Sequence, residues 1–148
     1  MTMCRFLLPL VLLWTAYATV VDFRTYRIPA GFPRRAVFAA TALCAVPTIV
    51  LRGHIGAWFL YLILFIVIIA EWRLGGIGGG DVKLWTVWWL WTPPTWIRWG
   101  LVATAVIWVV GGLARLLILR HEPGQKYPAA WQALIYGVWL SLVFLTSP

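Results

Sequence analysis

Runs of apolar residues at about 6 to 21, 36 to 51, 55 to 70, 82 to 97, 99 to 119 and 129 to 146 alternate along this chain with short polar connectors. A helix needs roughly 20 residues to cross a hydrocarbon core, and several runs are nearer 16, which implies local thinning or use of flanking residues. The pattern predicts an all-α fold, a polytopic membrane helix bundle of about six transmembrane helices, in a single domain over residues 1–148. In the fourth run, "LWTVWWLW" leads straight into Pro93 and Pro94, which should end or bend that helix early. Five spans and one partial helix is therefore the competing count.

Charge supplies the orientation. With six crossings, the connectors at 22 to 35, 71 to 83 and 115 to 128 carry nine of the twelve basic residues: Arg24, Arg27, Arg34, Arg35, Arg73, Lys83, Arg115, Arg120 and Lys126. The opposite side carries Arg5, Arg52 and Arg98. The positive-inside rule places the richer connectors in the cytoplasm and both termini outside. A hydrophobic content of 63% with 11% charge removes the chain from the soluble class, and a net charge of +8 distributed among connectors reads as topology signal, not as a nucleic-acid surface. A competing reading is that Arg5, "FLLPLVLLW" and "AYA" at 16 to 18 form a cleavable signal peptide, which would leave Asp22 near a new amino terminus.

Cys4 and Cys44 lie in apolar segments with no zinc or disulfide spacing, so no metal site is expected. The twelve tryptophans, among them Trp58, Trp96, Trp99 and Trp131 near span ends, read as interfacial anchors and packing. His54 and His121 fall in connectors on opposite sides, which removes Ser-His and Cys-His chemistry.

The chain has four carboxylate side chains, Asp22, Glu71, Asp81 and Glu122. Glu71 beside Arg73 and Glu122 in "RHEPGQK" read as structural or solvated. Asp22 closes an apolar run in "VVDFRTYRIPAGFPRR", and Asp81 follows five glycines in "GGIGGGDVKL". Both fall at the same membrane edge. Those glycines disfavour a rigid helical start and suggest a segment that bends and approaches a partner closely. They lack the Lys-Ser/Thr ending of a phosphate loop. Carboxylates about 4 Å apart repel by roughly 4 kcal/mol at an effective dielectric of 20, equal to about 3 pKa units, and so share one proton near neutrality. One ionised and one protonated carboxyl is the division of labour that activates water against an amide.

"DFRTYRIP" and "GGGDVKL" resemble the paired motifs of the bacterial type IV prepilin peptidases, and "KYPAAWQALIYG" is similar to the start of that family's last helix. The resemblance implies a membrane aspartic endopeptidase with catalytic Asp22 and Asp81. Gly78 and Gly80 fill the glycine positions, and Lys83, Arg24, Arg27 and Pro29 are candidates for substrate binding or loop shaping. It further implies a prepilin or pseudopilin substrate with a short basic leader, no cofactor, retention of the first helix, and the bacterial inner membrane with the active site toward the cytoplasm. Ala30 stands where relatives commonly have Asn. Longer members carry a cysteine-containing amino-terminal segment and methylate the new amino terminus, so the expectation here is cleavage without methyl transfer. Because the cytoplasmic face is itself basic, anionic lipid is the expected means of concentrating enzyme and substrate. Three alternatives use the same acids differently: a small proton- or cation-coupled transporter, a non-catalytic assembly subunit whose aspartates pair with arginines, and the archaeal preflagellin peptidases.

Overall fold

Among the described residues, long stretches of Leu, Ile, Val and Ala, broken by Gly and Pro at their ends, fold into six α-helices. The computed structural model describes residues 7–25, 27–28, 31–74, 77–114, 117 and 129–146. The helices are α1 (Leu8–Thr25), α2 (Phe32–Arg52), α3 (Ile55–Arg73), α4 (Gly79–Trp91), α5 (Ile97–Leu113) and α6 (Ala130–Thr146), and no strand occurs among the described residues. By length and composition, α2 over Arg34–Arg52 and α3 are apolar enough to cross a membrane.

The breaks follow local chemistry. Gly31 takes φ 115°, a left-handed conformation that only glycine adopts cheaply, and turns the chain into α2. His54 caps α3, its Nδ1 accepting the Ala57 N–H at 2.9 Å. The fourth helix departs from the expected 82 to 97. It starts earlier, so that Gly79, Gly80 and Asp81 form its first turn, and it stops at Trp91, ahead of Pro93 and Pro94. The glycines therefore do not prevent a helical start. At 13 residues α4 is about 20 Å long, short of a full hydrocarbon core.

This short helix is the centre of the bundle. It packs against α2, α3 and α6, while α1 lies on α6 and α2, and α5 lies on α3 and α6. Trp85, Trp88 and Trp89 are fully buried, so these tryptophans pack the core and are not interfacial anchors. Burying an indole without a partner for its N–H costs about 1 to 3 kcal/mol. Three threonines on three other helices remove that cost. Trp88 Nε1–H donates to Thr15 Oγ1 of α1 at 3.1 Å, Trp89 to Thr104 of α5 at 3.0 Å, and Trp91 to Thr41 of α2 at 2.9 Å. Each threonine hydroxyl in turn donates to the carbonyl four residues before it, at 2.8 Å, so both ends of the hydroxyl are used. Past the end of α4, the Thr92 carbonyl accepts the Tyr61 hydroxyl from α3 and the Thr92 hydroxyl bonds Tyr136 of α6 at 2.8 Å. Thus α4 is tied by directional bonds to every other helix.

The outward faces are apolar. Leu43, Leu51, Ile55, Ile66, Val109 and Leu145 are exposed on α2, α3, α5 and α6. A surface of this kind suits a lipid solvent.

Candidate active site

Asp22 sits in the last turn of α1 and is buried. Its Oδ2 accepts the backbone N–H of Ala130, the first residue of α6, at 3.2 Å. Asp22 thus caps a helix 108 positions away in sequence, and this bond joins the end of α1 to the start of α6. Asp81 is the third residue of α4, and its Oδ2 accepts the N–H of the N-cap residue Gly78 at 3.2 Å. That is the carboxylate half of a capping box, and an acidic side chain in a first turn is favoured by the helix dipole. The other oxygen, Oδ1, is buried with no hydrogen-bond partner among the described residues.

One cavity of about 330 Å³ collects both acids. Its wall includes Asp22, Asp81, Gly78, Gly79, Gly80 and Trp14, together with Arg27, Arg34, Lys83 and Ile28. The two motifs are brought together by a close approach at Gly80. A Cβ there would stand 2.5 Å from Ile28 Cγ1 and 2.9 Å from its Cβ. Gly80 is thus required for contact, not for backbone freedom. Gly78, with φ −78° and ψ 154°, is extended backbone open to any residue, and a Cβ on it would meet Asp81 Oδ2 at 3.1 Å.

Both carboxyls lie just outside the apolar runs, and both have pKa values above the ordinary carboxylate range. Asp22 is raised by burial, against the opposing pull of the Ala130 and Ala129 N–H groups. Asp81 is pushed up to about 6, first by burial and then by the charge of Asp22, with the Gly78 N–H opposing. Desolvation, more than the mutual repulsion expected from sequence, is the larger cause.

Of the residues singled out in sequence, Asp22, Asp81, Gly78, Gly80, Arg27 and Lys83 meet at this cavity. Arg24 is exposed in the last turn of α1 and is not on its wall. Pro29 and Ala30 lie outside the described residues. Sequence reasoning did not pick out four wall residues. Arg34 entered only the topology count, Gly79 only the glycine stretch, and Ile28 only a motif. Trp14 sits about two turns before Asp22 on α1, a spacing that could have flagged it. The backbone donors from α6 carried no side-chain signal at all.

No curated protein and no solved structure matches the chain. The model of the type IV leader peptidase family matches residues 9–115, well over half of the chain, across α1 to α5 and both aspartates. The chain belongs to the type IV leader peptidase family.

Proposed function

We propose that the protein is a membrane aspartic endopeptidase that removes the short basic leader of type IV prepilins or pseudopilins, with Asp22 and Asp81 as its catalytic pair. The observation that carries this reading is the shared cavity: two of the chain's four carboxylates, from different helices, line it with raised pKa values. A pair that titrates near neutrality holds one proton between its members. The ionised member takes a proton from water as the water oxygen bonds to the scissile carbonyl carbon. The protonated member gives its proton to the carbonyl oxygen. Collapse of the tetrahedral adduct re-forms the carbonyl and breaks the C–N bond, as a hydroxyl proton returns to the carboxylate that gave its proton and the leaving nitrogen receives the proton taken from water. Arg27 and Lys83 on the cavity wall are suited to holding substrate carbonyls.

With six crossings, the charge count supports both termini outside and a site opening toward the cytoplasm of the bacterial inner membrane. The substrate's own apolar helix and anionic lipid bring the partners together at that face.

Co-expression with prepilins from the same genome, followed by mass spectrometry, tests the reading. Leader removal by the parent, lost in Asp22→Asn and in Asp81→Asn, supports it. Cleavage that survives either substitution refutes the dyad, and ion or proton uptake without cleavage of any prepilin favours a transporter.

A further inference from the structure

The two aspartates are chemically similar, but their surroundings are not. Asp22 receives the N–H of Ala130 at 3.2 Å, at the start of a 17-residue helix whose positive end points at it. The neighbouring Ala129 N–H pulls in the same direction. Among the described residues, Asp81 receives one N–H, from Gly78, and its other oxygen is buried without a partner. An ionised carboxylate is acceptor-only, so a buried oxygen left bare is costly, whereas a protonated carboxyl turns that atom into a donor.

Resting on the dyad reading above, we propose that the amino terminus of α6 is a positioning element that keeps Asp22 ionised as the general base, and that Asp81 carries the shared proton on Oδ1 as the general acid. The relevant N–H groups lie outside the segment matched by the family, residues 9–115, and belong to the backbone, so no side chain reveals them. Among the described residues, the charged groups that share the cavity with Asp22 are Arg27 after α1, Arg34 on α2, and Asp81 and Lys83 on α4. The three cations favour ionisation of either acid, so they do not choose between them. The N–H donors and the bare oxygen do.

Proline substitution removes a single donor. Ala130 is the first residue of α6, where proline's fixed φ suits the helix and its missing N–H breaks no internal helix bond. Ala130→Pro therefore deletes the bond to Asp22 without breaking a bond inside α6. The readout is the pH profile of leader cleavage at saturating and at limiting prepilin, in membranes containing the full-length enzyme. A hydrogen bond to a charged group is equivalent to about one pKa unit, so the acidic limb is expected to move up by about one pH unit while the alkaline limb stays in place. Gly78→Pro, which removes the donor to Asp81, is expected to move the alkaline limb upward instead. If Ala130→Pro is not recovered folded, Ala129→Pro removes the second donor and carries the same expectation. An alkaline-limb shift in the α6 variants means the roles are reversed and overturns the assignment, as does a profile that does not move. Cleavage that survives Asp22→Asn or Asp81→Asn overturns the dyad itself, whereas loss in both with an unmoved profile overturns only the part assigned to α6.

Discussion

Asp81 serves two demands that pull in opposite directions. As the third residue of α4 it caps a glycine-rich helix start, which favours the anion, yet its burial beside Asp22 favours the neutral acid, and the net result is a pKa raised to about 6. The consequence for stability has a definite sign. A carboxyl whose folded pKa is about 6 lies above its unfolded value, so its contribution is fully present below about pH 4 and lost as pH rises through about 6. Asp81→Asn is therefore expected to raise the thermal midpoint at pH 8 by a few degrees and to have no such effect at pH 4, in melts of the purified protein. The two substitutions at Asp22 should separate structure from chemistry. Asn keeps an acceptor for the Ala130 N–H, so Asp22→Asn should fold like the parent while cleaving at least about 10²-fold more slowly. Asp22→Ala removes the cap as well and should cost a further ~1 kcal/mol of stability.

At the level of elements, the site depends on how closely α4 approaches the segment after α1. Gly80 sets that distance, because any Cβ there overlaps Ile28. Gly80→Ala is expected to leave the helices intact, since alanine is the better helix former, but to move the two aspartates apart. Displacements of about 1 Å in a catalytic constellation can cost on the order of 10²-fold in rate. Removing the opposing side chain, its Cβ included, restores the space, so Gly80→Ala combined with Ile28→Gly should recover activity that Gly80→Ala loses. Kinetics that are additive across this double-mutant cycle would show that the contact does not set the geometry.

Across the whole molecule, α4 acts as a hub whose indoles bond to α1, α2 and α5. A short buried helix carrying Asp81 at one end requires its neighbours to hold it at the right depth, and directional Trp–Thr bonds do so where apolar packing alone would tolerate sliding. Its fit against α6 is close: a Cβ at Gly137 would overlap the Trp88 ring. Gly137→Ala is expected to destabilise the bundle by about 1 to 3 kcal/mol through overpacking, visible as a lower thermal midpoint in detergent. Because α6 also supplies the Asp22 cap, cleavage should fall at temperatures where the parent remains active. A Gly137→Ala protein with unchanged midpoint would mean that α6 moves away from α4 without cost.

What the sequence by itself determined was the part set by composition and local pattern. Apolar periods long enough for helices, few charges, and prolines that stop α4 at Trp91 are properties of contiguous residues, as is the placing of Asp22 and Asp81 at run boundaries. The pair of acids that meet at one cavity was legible because scarce carboxylates in an apolar chain are conspicuous. Tertiary structure alone decided the rest. That the glycines begin a helix, that Gly80 is small for Ile28, that the tryptophans of α4 are core, and that a backbone N–H from α6 meets Asp22 all depend on residues distant in sequence. Backbone donors carry no residue identity, and a close approach has no signature until both surfaces are in place. The physical reason for the division is that helix formation and partition into lipid depend on contiguous residues, while contacts between helices depend on how the whole bundle packs.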